Sequence, residues 1–200
     1  MPVWKDDDET IWTPYTSLVE ERDLVSDRVL RLTPGIYQAV VPKRYEIRVT
    51  VIGHRVFAAK IFSQDTEHGR LDWRKAYDEL KMEQCTLPTS VVDRCLELMR
   101  QLGIVFGCFD FIVTPSGEYF FLEVNEMGQF LFVEHYAGLP LLDAFCNFLL
   151  QGSLDFTWDE QSVEVRYDSI EDIAKAKSET MRATHVRALE RPEVENRERV

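Results

Sequence analysis

The alternation of apolar and polar residues predicts a strand pair early in the chain and a helix after it. Apolar and polar positions alternate over Tyr45–Ile52, and a second apolar run at Val56–Phe62 follows the turn Gly53-His54. This arrangement is typical of an antiparallel hairpin. Apolar residues at helical spacing over Thr89–Leu102, ended by Gly103, predict an amphipathic helix.

A second hairpin is predicted around the turn Thr114-Pro115-Ser116-Gly117, because Pro and Gly at these positions favour a tight turn. Folding the chain about this turn brings Asp110 opposite Glu123. Asn125 lies two residues beyond Glu123 and therefore on the same face, since side chains alternate along a strand. Three oxygen-bearing side chains thus converge in a hairpin that is otherwise rich in Phe, Ile and Val.

Two interpretations of these three residues stay open. Carboxylates in apolar surroundings are costly unless a positive charge compensates them, and hard oxygen ligands suit Mg²⁺, which proteins often bind together with nucleotide phosphates. Alternatively, the two strands form an antiparallel pair with one solvated face, on which Asp110 and Glu123 meet water. In the first hairpin, Glu46 and Arg48 on the polar face indicate by themselves only a surface ion pair.

Two further helices are predicted nearer the C-terminus, and one long segment shows no periodicity. Leu141–Leu150 is nearly all apolar, which predicts a well-buried helix, and Ile170–Leu189 has a helix-forming composition. The polar segment Ser63–Leu87 has no clear period and is typical of a functional loop. Leu18–Leu30 is charged and has weak helical spacing.

Composition excludes several classes of protein. The chain has 200 residues and a net charge of −12, which argues against nucleic-acid binding, because that would need a basic surface. Its apolar runs are too short to span a bilayer. The four cysteines form no CxxC pair, and no His/Cys cluster has zinc spacing. We therefore expect a cytoplasmic protein with reduced thiols and with neither nucleic acid nor membrane as a partner.

The ordered series of motifs resembles a known family. The segments GIYQAVVPKRYEIRVTVIG, VFAAKIFSQ, DWR, LGIVFGCFDFIVTPSGEYFFLEVNEMGQF and AGLPLLDAFCNFLL resemble, in that order, the C-terminal part of the ATP-grasp fold. The sequence is most similar to the ATP-grasp ribosomal peptide maturases, the microviridin-type ligases, which are related to the ribosomal-protein glutamate ligase. The resemblance covers Thr13–Leu150.

The resemblance implies an α+β fold with a mostly antiparallel sheet and helices packed on one side. We expect a polar N-terminal segment over residues 1–35, an ATP-grasp C-terminal lobe over 36–150 and a charged tail, helical or disordered, over 151–200. The lobes that precede this part in the family are not expected in the chain. It therefore corresponds to a truncated domain, which a homo-oligomer or a partner chain would complete.

The resemblance also implies roles for individual residues. The positions that match Mg²⁺ ligands are Asp110, Glu123 and Asn125. The positions that match nucleotide-binding residues, three at the adenine hinge and one at the ribose, are Gln38, Val40, Val41 and Glu46. Two arginines match catalytic residues that face the phosphates or an acyl phosphate, Arg48 and Arg74. Gln129 falls beside the site of the acceptor.

The implied activity is an ATP- and Mg²⁺-dependent ligation of a carboxylate to an amine or hydroxyl through an acyl phosphate, on a ribosomal peptide or a small carboxylate substrate. The sequence departs from the family at Ala39-Val40, where Glu-Tyr is usual, and at Glu126, where Pro is frequent. The alternative is a non-catalytic ATP-grasp remnant that serves as a nucleotide- or peptide-binding module.

Overall fold

The computed structural model describes residues 4–5, 11–12, 15–20, 22, 28, 31 and 35–189. The strands in chain order are β1 Trp4–Lys5, β2 Ile11–Trp12, β3 Tyr45–Ile52, β4 Arg55–Ile61, β5 Met82–Gln84, β6 Phe106–Val113 and β7 Tyr119–Asn125. The α-helices are α1 Thr89–Leu102, α2 Leu131–Ala137, α3 Leu141–Gln151 and α4 Tyr167–Leu189. Within residues 35–189, 3-10 turns lie at Ser63–Asp65, Trp73–Glu79 and Glu160–Ser162.

A five-stranded antiparallel sheet with the order β5-β4-β3-β6-β7 forms the centre of the fold. The α+β class, the hairpin predicted from the alternation and the hairpin predicted from the turn at Thr114–Gly117 are confirmed. β1 and β2 pair separately as a two-stranded sheet. None of the helices in the described part of the chain is long and apolar enough to cross a bilayer.

Helices cover both faces of the sheet, so the expectation of helices on one side is wrong. Ile47, Val49 and Val51 pack against α1. On the opposite face, Ile52 packs against α3 and Ala59 against residues of α2 and α3. The reason is the central position of β3, which is buried over all its residues but the first. A strand buried on both sides needs a layer on each.

Some elements were not predicted from the sequence, and one predicted burial is incomplete. The segment read as a loop, Ser63–Leu87, contains β5 and the 3-10 turn at Trp73–Glu79. α2 follows the second hairpin directly. α3 is confirmed as a helix, but its last turn exposes Leu149 and Leu150 by 61% and 85%. The helical spacing of residues 18–30, most of the N-terminal segment and the tail beyond residue 189 lie outside the described residues.

The segment that follows α3 packs back onto the sheet. Phe156 is 2% exposed and lies with Phe148 of α3 in one apolar cluster. Arg55 of β4 donates hydrogen bonds to the carbonyl oxygens of Phe156 and Trp158 and lies against both rings. The first part of the segment predicted as a charged tail is therefore integrated with the sheet.

The β3–β4 turn provides the first test of the fold. Gly53 has a φ of +56°, and a Cβ atom there would overlap the carbonyl oxygen of Leu154. We expect Gly53→Ala to lower the free energy of unfolding by about 3 kcal/mol, since backbone strain and steric overlap add. Gly103→Ala is the matched control, because Gly103 also has positive φ but faces open space; its expected cost is about 1 kcal/mol. Equal losses of unfolding free energy for the two variants in urea denaturation would contradict the close approach of Gly53 to Leu154.

Candidate nucleotide and metal site

The two carboxylates predicted to face each other do so. Asp110 of β6 pairs directly with Glu123 of β7, and Asn125 pairs with Cys108. Because alternate residues share a face, Asp110, Glu123 and Asn125 all lie on the side of the sheet opposite α1. The strand register predicted from the turn is confirmed at this point.

A β-bulge in β7 makes this arrangement possible. The register shifts between Asp110, which pairs with Glu123, and Phe111, which pairs with Phe121, so Leu122 is an extra residue. Phe121 contacts Phe111 on the α1 side of the sheet. In a regular strand without the bulge, Phe121 and Glu123 lie two residues apart and would share a face. The bulge therefore allows an aromatic residue to pack on one side and a carboxylate to face the other.

Asp110 lies in surroundings that favour a cation. Its Oδ2 accepts a hydrogen bond from Nη1 of Arg48 at 2.5 Å. Burial raises the pKa of Asp110 to about 6; Arg48 opposes this rise, whereas the carboxylates of Glu123 and Glu46 add to it. Arg48 thus offsets the effect of burial on Asp110 only in part. A further positive charge would stabilise the ionised pair.

Arg48 is fixed by two hydrogen-bond partners rather than exposed to water. Besides Asp110, it donates through Nη2 to the carbonyl oxygen of Gln129 at 2.8 Å, and its Nε is buried without a partner among the described residues. Glu46 and Arg48 are 7% and 6% exposed. For Glu46 and Arg48 the interpretation as a solvated surface is therefore wrong, because residues 35–43, α2 and the loop after β7 lie on the same side as these charges, whereas Glu123 and Asn125 are exposed.

The loop after β7 depends on a glycine that the sequence did not single out. A Cβ atom at Gly128 would lie 2.8 Å from Cβ of Cys108 and 2.9 Å from Nη2 of Arg48. The thiol of Cys108 donates to the carbonyl oxygen of Gly128 at 3.6 Å. Burial raises the pKa of this thiol, although Arg48 opposes the rise. Gly128 and Cys108 thus hold the loop close against Arg48.

Arg74 lies at the same site but is held by a different partner. It donates to both oxygens of Asp72, through Nε at 2.8 Å and Nη2 at 2.5 Å. These hydrogen bonds raise the pKa of Arg74, and the carboxylates of Glu123 and Asp110 raise it further. Burial acts against ionisation of Asp72, but the hydrogen bonds from Arg74 and from the backbone N–H of Thr16 lower its pKa. Nη1 of Arg74 takes no part in this pair.

A cleft of about 760 Å³ lies along the same face of the sheet and is lined by Glu46. The hinge residues predicted from the resemblance line it together with one residue of β3: Gln38, Val40, Val41 and Glu46. Ile112 and Leu122 form part of its floor. Glu46 pairs with Ile112, and two residues further along the same face Arg48 pairs with Asp110. The cleft is of the size that small-molecule ligands occupy, roughly 300–1,000 Å³.

The donor set suits a divalent cation that is bound together with phosphates. In the described part of the chain, no group of three or more His, Cys, Asp or Glu side chains could hold a metal. Mg²⁺, however, needs only one or two carboxylates when phosphates and water supply the other ligands. Asp110 and Glu123 provide these. The Oδ1 atom of Asn125 accepts from the backbone N–H of Met127 at 3.3 Å and retains a second lone pair.

Comparison with known proteins identifies the class of the fold. No family model and no curated protein sequence matches the chain. Among solved structures, the macrocyclase MdnC of Microcystis aeruginosa MRC, bound with its precursor peptide MdnA, is 32% identical with a TM-score of 0.64, over 76% of this chain and 47% of that one. A RiPP-associated ATP-grasp ligase of Chryseobacterium gregarium, in complex with ADP and a leader and core peptide, is 26% identical with a TM-score of 0.65, over 76% and 46%.

A third ATP-grasp ligase, PsnB, complexed with a phosphomimetic variant of its minimal precursor, Mg and ADP, is 24% identical with a TM-score of 0.50, over 72% of this chain and 45% of that one. The chain spans about half the length of each of these proteins. It therefore has the fold of the ATP-grasp ligases over this part. Within that class, its similarity is to the ligases of ribosomal peptides, so the resemblance seen in the sequence is confirmed.

Proposed function

We propose that the chain takes part in an ATP- and Mg²⁺-dependent ligation on a peptide, in which a carboxylate is activated as an acyl phosphate and joined to an amine or hydroxyl. The observation that carries the proposal is the continuity of one face of the sheet. Along this face, Glu46 in the cleft is followed by the Arg48–Asp110 pair and by Glu123 across from it. One strand step of two residues spans roughly 7 Å, which suits the passage from a ribose to its phosphates.

Each residue has a distinct task in this proposal. The backbone of Gln38, Val40 and Val41 borders the adenine, and Glu46 accepts hydrogen bonds from the ribose hydroxyls. Asp110, Glu123 and Asn125 hold Mg²⁺, which neutralises phosphate charge when bound. This assignment is supported by the donor set and by the complexes of similar ligases with ADP and precursor peptides.

The two arginines would act on the reacting groups. A substrate carboxylate oxygen attacks the γ-phosphorus, which forms the acyl phosphate and releases ADP. The amine or hydroxyl then attacks the acyl carbon, and phosphate leaves as the nucleophile loses its proton. Arg48 and Arg74 neutralise charge on the phosphoryl oxygens in both steps, and such transfers depend mainly on positioning and electrostatics.

Calorimetry of ADP binding tests the metal assignment. With Mg²⁺ present, we expect Glu123→Ala to weaken ADP binding by at least about tenfold relative to the unaltered chain, because one of two metal-binding carboxylates is lost. With EDTA in place of Mg²⁺, the two proteins should bind ADP alike. Glu118→Ala is the matched control, since Glu118 lies exposed at the turn of the same hairpin. Equal binding by the Glu123 variant and the unaltered chain in Mg²⁺ would remove the metal site from the proposal.

A binding module without turnover is the second candidate, and one observation favours it. β7 is an edge strand of the sheet, and its Phe120 and Phe121 are 42% and 49% exposed. Such an edge invites pairing with another chain. Release of ADP from ATP in the presence of a carboxylate-containing peptide supports the ligase. ADP binding without that release, together with a stable monomer in light scattering, supports the module.

A further inference from the structure

Lys43 joins three parts of the cleft wall. Its Nζ lies 2.8 Å from Oε1 of Glu46 and donates to the carbonyl oxygen of Leu71 at 2.9 Å. Lys43, Glu46 and Leu71 all line the cleft. The side chains of Lys43 and Glu46 are only 10% and 9% exposed. The lysine thus connects the hinge to β3 and to the loop that precedes the 3-10 turn at Trp73–Glu79.

We infer that Lys43 is a positioning residue that makes the cleft selective for ribonucleotides. Its ammonium group engages Oε1 of Glu46 and so leaves Oε2 to accept hydrogen bonds from the ligand. The Leu71 carbonyl fixes the ammonium from the other side, which restricts the rotation of Glu46. The inference rests on the proposed function, because it assigns the ribose to Glu46.

The charge of Lys43 matters as well as its position. A hydrogen bond to an ionised acceptor is roughly twice as strong as one between neutral groups. Without the ammonium group, the carboxylate of Glu46 would be buried without its counter-charge and free to turn away from the ligand. Loss of Lys43 should therefore weaken the contact with the ribose hydroxyls specifically, while contacts with the adenine and the phosphates persist.

Calorimetry with two nucleotides tests this inference. We expect the unaltered chain with Mg²⁺ to bind ADP about 10 to 100 times more tightly than 2′,3′-dideoxy-ADP, since two charge-assisted hydrogen bonds are lost. In Lys43→Met, the ratio of the affinity for ADP to the affinity for 2′,3′-dideoxy-ADP should fall below about threefold. The affinity for the dideoxy nucleotide should change little. Lys81→Met is the control, because Lys81 lies on the exposed surface.

A second variant separates positioning from a general effect on folding. Glu46→Gln should also reduce the ratio, and in the Glu46→Gln background Lys43→Met should have no further effect, as expected for coupled residues. The double variant carries no unpaired buried charge and so remains informative if Lys43→Met alone does not fold. If Lys43 had only a structural role, Lys43→Met would instead weaken the binding of both nucleotides equally.

The outcomes show whether the inference about Lys43 fails alone or together with the proposed function. If Lys43→Met retains the nucleotide ratio of the unaltered chain, the inference is overturned and the proposed function stands. If Lys43→Met lowers the ratio further in the Glu46→Gln background, the inference is again overturned. If the unaltered chain binds neither nucleotide, or binds both equally, the proposed nucleotide site and the inference fall together.

Discussion

Arg48→Met will lower ATP-dependent turnover by about 10³-fold if the site acts as proposed, because it removes a fixed positive charge from the transferred phosphoryl group. The side chain that is lost binds both Asp110 and the carbonyl oxygen of Gln129. Its removal therefore also releases the loop after β7. The rate of ADP release in the presence of ATP, Mg²⁺ and an acceptor peptide measures the effect.

Two further variants test whether the guanidinium group itself causes the loss of turnover. Arg48→Lys keeps the charge but loses the planar fork that binds two oxygens, so its rate should fall between those of the Met variant and the unaltered chain. Arg44→Met should leave the rate unchanged, since Arg44 is exposed on the same chain segment. A folded Arg48→Met protein that keeps its rate within about threefold would exclude the role given to electrostatic stabilisation.

The largest expected effect on stability comes from Asp143→Ala, which should lower the free energy of unfolding by about 3–5 kcal/mol, because three hydrogen bonds to one ionised acceptor are lost. Asp143 is 3% exposed and accepts hydrogen bonds from Nε1 of Trp158 and from the backbone N–H groups of Glu164 and Val165. Its removal leaves these three donors without their acceptor and releases the segment after α3.

Urea denaturation at neutral pH measures this effect, with Asp155→Ala as the control. The Asp155 side chain is 80% exposed and pairs only with His54 at the surface, so its loss should cost less than about 1 kcal/mol. Burial opposes ionisation of Asp143, but the hydrogen bonds from Trp158, Val165 and Glu164 lower its pKa. Its contribution to stability is therefore present above the pKa of the unfolded chain and is lost as the pH falls through the lower, folded pKa. Equal costs for the two variants would contradict the role of Asp143.

The parts of the fold that the sequence predicted are those with a local signal. The bounds predicted for α1, Thr89–Leu102, are the ones that the structure shows, because an apolar stripe and a terminal glycine define them. β5 has three residues and obtains its conformation from pairing with β4, which local alternation does not encode. α2 is also short, and its apolar residues have no separate period.

The predicted site depended on one register and on one resemblance. The turn at Ser116–Gly117 was enough to place Asp110 opposite Glu123. The burial of Glu46 and Arg48 was not predicted, because alternation along β3 is the same whether its polar face meets water or a second layer. Lys43 had a signal in its spacing of three residues from Glu46. Gly128 had none, since its importance arises from contacts with residues distant in sequence.

The extra residue in β7 has a consequence for how this hairpin can change in evolution. Substitution of Phe121 alters the aromatic packing on the α1 side, whereas substitution of Glu123 alters the carboxylate pair, so the two positions can change independently. The bulge itself has less freedom. If Leu122 were instead taken into the regular alternation of the strand, one half of β7 would exchange inward and outward positions, and either an aromatic contact or a carboxylate would leave its place.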